Sequence, residues 1–240
     1  MGIFNNLFKS KENNITNDNK NLVALTDCTI SLAKEEVHQI CLTKKPLINL
    51  IARVGLVLDY SGSMSELYDS GTIQYVVERI LPLAMEFDDN NTMEVWIFEN
   101  GYHRLPDITL SNYKGYVERE IRRKYRMGGT NYAPVMNNVV KEYKKGKFPA
   151  YTLFITDGDN FDKDDTDKVI IEASKYPIFW QFVGVGGASF DYLQQLDDMS
   201  GRYVDNADFF RVDKIGDITY EKLLNEFPEW LENDKVKGMM

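Results

Sequence analysis

The sequence predicts an α/β protein, and three observations carry that reading. Short continuous apolar runs at Val54–Leu58, Tyr151–Thr156 and Ile178–Val185 are bounded by turn residues and read as buried strands. Between them lie segments whose apolar residues recur at one-face helical spacing. From Leu47 onward the two kinds of segment alternate, which is the signature of strands and helices wound together.

Taken in order, residues 1–21 are rich in Asn and Lys and read as a flexible N-terminal tail. Residues 22–46 read as an extension packing on the domain that follows. Within it Ile30, Val37, Ile40 and Cys41 have partly helical spacing, with Thr and Leu mixed in, and the pattern does not decide helix from hairpin. The domain proper is expected over 47–235. Its first strand lies near 52–59. The next helix carries Ile73, Val76, Val77, Ile80, Ala84 and Phe87 on one face, with Pro82 expected to kink it or end it early. A second strand near 92–99 meets Asn100-Gly101, the strongest two-residue hairpin signal, so 102–105 should return antiparallel at a sheet edge.

A helix is expected over about 112–125, and then the loop Met127-Gly128-Gly129-Thr130-Asn131. The helix after it bears Val135, Met136, Val139, Val140 and Tyr143, with Pro134 in its first turn, where a missing N–H costs little. The strand at 151–156 ends in Asp157-Gly158-Asp159. A helix near 164–175, the strand 178–185, a short helix at 191–199, a strand near 202–212 and a last amphipathic helix kinked at Pro228 complete the chain.

Composition bounds what the chain can do. Its 37 acidic and 28 basic residues give a net charge of −9, which argues against broad nucleic-acid binding. No apolar segment approaches the roughly 20 residues of a membrane helix. The first residues lack a signal peptide's apolar core, and Asn6 does not fit a myristoylation site. Cytoplasmic residence is the expectation. Cys28 and Cys41 do not make a disulfide framework and read as reduced thiols.

The chemistry concentrates in Asp59-Tyr60-Ser61-Gly62-Ser63, at the end of the first strand. In an open parallel sheet, strand C-terminal ends are where ligands bind. One carboxylate and two hydroxyls are hard oxygen ligands that suit Mg²⁺ or Mn²⁺ better than zinc. Alone, the stretch is equally compatible with an ordinary turn. Asp157 ends another buried strand, and Thr130 sits in a Gly-Gly-Thr turn that opens a helix. If the two strands are neighbours, the carboxylates emerge ~5 Å apart and repel unless a cation lies between them.

These residues resemble the metal-ion-dependent adhesion site (MIDAS) of von Willebrand factor type A domains: Asp-x-Ser-x-Ser, a later Thr, and the Asp of Thr-Asp-Gly. Longer strings are similar to the bacterial tellurium-resistance-associated branch, among them Leu81-Pro82-Leu83-Ala84, His103-Arg104-Leu105-Pro106, Gly128-Gly129-Thr130-Asn131-Tyr132-Ala133-Pro134, Phe179-Trp180-Gln181-Phe182-Val183-Gly184 and Val204-Asp205-Asn206-Ala207-Asp208-Phe209-Phe210. The resemblance implies a doubly wound, mostly parallel sheet with one antiparallel edge strand and helices on both faces. It implies Ser61 and Ser63 as direct ligands of Mg²⁺, with Mn²⁺ or Ca²⁺ as alternatives. Asp59, Thr130 and Asp157 would ligate directly or through water, and a protein partner's Asp or Glu would take the free position. The resemblance thus implies a non-enzymatic interaction module in a stress or tellurium-resistance-type system.

Two other functions compete. A haloacid-dehalogenase-type phosphatase or phosphotransferase also places an Asp after an apolar strand, but needs a second Asp two residues on, where Ser61 stands. A scaffold with an inactive metal site is the third reading. The run Asp157, Asp159, Asp162, Asp164, Asp165, Asp167 is no EF-hand, because Asp162 and Lys168 occupy the positions that need Gly and Glu. It reads as a solvated helix start, with Asp159 suggested as a supporting group for the site. Arg119, Arg122, Arg123, Lys124 and Arg126 read as a solvated face first and a lure for an acidic partner second. His38 and His103 are isolated and expected to be structural.

Overall fold

A computed structural model describes residues 26–240, so the expectation for residues 1–21 lies outside the described part. Six strands form one sheet in the order β3-β2-β1-β4-β5-β6. They are β1 (Arg53–Asp59), β2 (Met93–Phe98), β3 (Tyr102–Ile108), β4 (Ala150–Thr156), β5 (Ile178–Val185) and β6 (Ala207–Val212). All neighbours pair in parallel except β2 with β3, the Asn100-Gly101 hairpin. That hairpin puts the antiparallel strand at an edge, where Pro106 needs no ladder partner.

Period-two alternation splits the strands between two cores. Val54, Leu56 and Leu58 with Tyr151, Leu153 and Ile155 face one side, and Val57, Trp96, Phe98, Phe154, Trp180 and Phe182 face the other. The first side is covered by α1 (Asp27–Thr43), the short α2 (Ser65–Asp69), α3 (Thr72–Phe87) and the C-terminal helices. The second is covered by α4 (Ala133–Tyr143), α5 (Lys163–Ala173) and α6 (Asp191–Asp197).

The segment left undecided between helix and hairpin is α1. The Thr26 hydroxyl accepts the Thr29 N–H as its N-cap, and Ile30, Ala33, Val37 and Cys41 recur every three or four residues on the buried face. This face packs against α3.

Four expectations need correction. Pro82 neither ends α3 nor shortens it: the helix runs to Phe87. An interior proline costs about 3 kcal/mol, whereas burying each of Ile73, Val76, Val77, Ile80, Leu81, Leu83 and Phe87 returns about 1.5–3 kcal/mol. The helix expected at 112–125 contracts to a π-helical stretch, Val117–Arg122, because Gly115 at φ +62° breaks the right-handed run before it. The last helix breaks before Pro228, not at it. It divides into α7 (Tyr220–Leu223) and α8 (Phe227–Glu232), with Pro228 in the first turn of α8, followed by α9 (Asp234–Lys237). The strand expected from 202 begins only at Ala207.

The strand order reverses direction between β1 and β4, which are hydrogen-bonded neighbours with Leu58 opposite Ile155. Asp59 and Asp157 therefore leave adjacent strands at the switch point of the sheet, where a crevice opens in this architecture.

Candidate metal centre

Asp59 is the last residue of β1 and is fully buried. Its Oδ1 accepts the Ser61 N–H at 2.7 Å, and its Oδ2 accepts the Thr156 hydroxyl at 2.6 Å. A buried carboxylate without such donors would be costly. Burial still pushes its pKa up to about 6, against the pull of the hydrogen bonds from Thr156 and Ser61 and with a smaller contribution from the Asp157 charge. The Tyr68 hydroxyl holds the Asp59 carbonyl at 2.8 Å and fixes the strand end.

From there the chain turns through Gly62–Met64, a single 3₁₀ turn. The turn brings Ser61 Oγ and Ser63 Oγ to 3.0 Å from each other, and the Ser63 hydroxyl donates to Asp157 Oδ1 at 2.9 Å. Residues 94 positions apart in sequence thus share one oxygen-lined site. Asp157 also has its pKa raised, by burial first, with the Ser63 hydrogen bond opposing.

Thr130 arrives by backbone pairing. Gly128 bridges Ser61 in parallel: its N–H donates to the Tyr60 carbonyl at 3.3 Å and its carbonyl accepts the Gly62 N–H at 3.1 Å. The same loop lies against the Asn100-Gly101 hairpin: a Cβ on Gly128 would lie 2.8 Å from Asn100 Nδ2 and one on Gly129 2.5 Å from Asn100 Oδ1, so a side chain at either position would displace Asn100. Thr130 is buried beside the turn. Among the described residues its hydroxyl makes no hydrogen bond to Asp59, Ser61, Ser63 or Asp157. The structure therefore links Ser61, Ser63 and Asp157 by hydroxyl contacts, ties Asp59 to them through the Ser61 backbone, and sets Thr130 alongside.

Three supporting residues escaped the sequence reading. Thr156 follows one step on in the β1–β4 register and so faces the Asp59 carboxylate. Tyr132 donates to Thr156 Oγ1 at 3.1 Å and to the Gly158 carbonyl at 2.5 Å. Asp162, read as part of a solvated helix start, instead accepts the N–H groups of Tyr132 and Ala133, each at 2.9 Å. It caps α4 from the loop after β4, and so locks the Thr130 loop to the Asp157 loop. The only local signals were the Thr before Asp157 and one Asp among many. Asp159, suggested as a supporting group, pairs with Lys163 at 2.5 Å and is exposed.

The basic run is largely self-neutralised. Arg122 pairs with Asp69 and Glu118, Arg123 with Glu118, and Arg119 and Lys124 with Glu120. Among the described residues only Arg126 of this run has no ion pair. His38 binds Glu86 at 2.7 Å, and His103 packs tilted on Tyr125, with its Nε2 3.7 Å from Glu99 Oε1. A second acidic cluster lies at the far edge of the sheet. Carboxylate oxygens of Asp197, Asp208 and Glu226 lie within 4.8 Å of one another, with Asp208 on β6, three strands from β1.

No helix among the described residues is long and apolar enough to cross a membrane. The donor set at β1 and β4 suits a hard cation: two carboxylates and two hydroxyls, without sulfur or imidazole.

The chain is similar to several known proteins. YcbR of Bacillus subtilis is 43% identical over 222 residues, covering 88% of this chain and 90% of YcbR. The structure of BatB from Bacteroides thetaiotaomicron superposes with a TM-score of 0.51 at 16% identity, covering 78% of this chain and 99% of that one, and shows the shared fold. The ArnB paralog VWA2 of Sulfolobus acidocaldarius matches with a TM-score of 0.49 at 14% identity over 75% of this chain, which spans 44% of that longer protein. The family described as the von Willebrand A domain found in the C terminus of TerF matches residues 51–240, and the chain belongs to this TerF-like branch of von Willebrand A domains.

Proposed function

We propose that this chain is a Mg²⁺-dependent protein-interaction module. Asp59, Ser61, Ser63, Thr130 and Asp157 would hold the ion, and an Asp or Glu of a partner protein would complete its shell. One observation carries the reading. Ser61 Oγ, Ser63 Oγ and Asp157 Oδ1 are spaced 3.0 and 2.9 Å apart. The contacts are direct hydrogen bonds that gather two hydroxyls and a carboxylate at one place. Hard oxygen donors of low total charge suit Mg²⁺ or Mn²⁺.

When bound, the ion would supply the positive charge that attracts a partner carboxylate. The chain's own residues do the rest. Thr156 and the Ser61 N–H orient the Asp59 carboxylate, and Asp162 and Tyr132 hold the two loops together. The reading includes that the chain is not an enzyme. In support, neither His38, which pairs with Glu86, nor His103, which packs on Tyr125, hydrogen-bonds Ser61 or Ser63, so the serines lack a Ser–His nucleophile pair. Membership of the TerF-like branch supports a place in a bacterial stress or tellurium-resistance-type system. The free thiols of Cys28 and Cys41 suit a cytoplasmic setting.

The test is co-purification from native extract with and without a chelator, using the wild type and Ser63→Ala. Partners lost on both treatments are expected. A partner set indifferent to both would remove metal-mediated recognition.

A further inference from the structure

Phe161 is the most exposed of the large hydrophobic side chains among the described residues, at 83%. It stands at the rim of the candidate metal centre. Its N–H donates to the Thr130 carbonyl at 3.0 Å, and its ring edge lies 3.5 Å from the position a Cβ on Gly129 would take. The residues on either side of it are anchored. Asn160 Nδ2 donates to the Thr166 hydroxyl at 3.0 Å, and the Asp162 carboxylate caps α4.

The ring is therefore presented to solvent from a fixed backbone next to a residue proposed as a metal ligand. Among the described residues the ring joins neither core and makes no aromatic or cation–π contact. A single exposed apolar side chain is ordinary; this one is set apart by its fixed position at the rim of the proposed site. An aromatic anchor with two rotatable bonds on a fixed backbone loses little entropy on binding.

We infer that Phe161 is a specificity contact: the partner segment carries a large apolar side chain within about three residues of its metal-seeking Asp or Glu, and that side chain packs on the Phe161 ring. The spacing follows from geometry. The ring sits over Gly129, one residue from Thr130, and three residues of extended chain cover about 10 Å. This inference rests on the proposed metal-dependent recognition of a carboxylate.

The test is selection from a random peptide library displayed on phage, with the full chain immobilised in Mg²⁺ and elution by EDTA. Wild type, Phe161→Ser and Phe161→Leu are compared, and Mg²⁺ binding of each is followed by calorimetry. Wild type should enrich peptides that pair an acidic residue with an aromatic or large aliphatic one within three positions. Phe161→Ser should bind those peptides about 10- to 100-fold more weakly and still enrich acidic residues. Phe161→Leu should fall between, and all three should bind Mg²⁺ alike. Enrichment of acidic peptides without an apolar neighbour, or an unchanged preference in Phe161→Ser, overturns the inference and leaves the metal reading standing. Loss of Mg²⁺ binding in Phe161→Ser overturns it too, because the residue would then act through the site. No EDTA-sensitive enrichment of acidic peptides overturns both.

Discussion

Two acidic regions sit at different ends of one sheet, and they are built on opposite principles. At the β1–β4 strand ends, carboxylates alternate with donors: Asp59 receives the Ser61 N–H and the Thr156 hydroxyl, and Asp157 receives the Ser63 hydroxyl. At the far edge, Asp197, Asp208 and Glu226 face one another within 4.8 Å, and Asp205, Asp198 and Glu229 add further negative charge. Arg202 offers only a partial answer, since its guanidinium pairs with Asp205. In the first region each negative charge is oriented by a neutral partner; in the second only Asp208 has such donors, Gln181 and the Phe209 N–H, and charge otherwise meets charge. Low charge with fixed oxygens describes a prepared ligand set, whereas high charge without interleaved hydroxyls describes repulsion stored in the fold.

The largest effect should come from removing the centre of the first region. Asp59→Ala strips the acceptor from the Ser61 N–H and the Thr156 hydroxyl, and each buried donor left alone costs on the order of 1–3 kcal/mol. Denaturant unfolding should show that loss, and calorimetry should show no remaining Mg²⁺ binding. Next comes Thr156→Val, nearly isosteric, which frees one Asp59 oxygen without emptying the core. It should weaken Mg²⁺ about 10- to 100-fold, the usual consequence of removing a group that orients a ligand. An unchanged affinity would mean that the donors around Asp59 are incidental and the contrast between the regions is empty. Asp162→Ala should cost about 1–2 kcal/mol through the lost cap of α4, read as a lower melting temperature.

The smallest effect concerns the far edge and sharpens the contrast from the other side. Burial first, then the charges of Asp208, Glu226, Asp205 and Asp198, push the Asp197 pKa up to about 7. Its unfolded value is near 4. Between those values the folded chain binds more protons than the unfolded chain, so this group lowers stability as pH rises from about 4 through 7. Wild type should therefore melt at a lower temperature at pH 8 than at pH 6. Asp197→Asn should flatten that slope by a few degrees at most, because the group is partly solvated. An unchanged slope would show that the cluster is relaxed by solvent.

What the sequence made legible was local. The apolar runs of β1, β4 and β5 and the Asn100-Gly101 turn needed only period and turn chemistry. Placing Asp59, Ser61 and Ser63 at the end of β1 needed the same. What stayed hidden depended on distant partners. Asp162 caps a helix that begins about 30 residues earlier in the chain, and no spacing rule distinguishes it from Asp164 or Asp165. Thr156 acquires its role only from the β1–β4 register. Pro82 misled because a local penalty was weighed without the burial of the whole α3 face, and Gly115 acted through a backbone angle that composition does not reveal.

The central claim is that the β1–β4 strand ends, and not the far edge, hold the ion. Calorimetric titration of Mg²⁺ into wild type, Asp157→Ala and Asp197→Asn tests it directly. The account predicts saturable heat in wild type, the same heat in Asp197→Asn, and none in Asp157→Ala. No saturable heat in wild type, or heat that survives Asp157→Ala and disappears in Asp197→Asn, would contradict it.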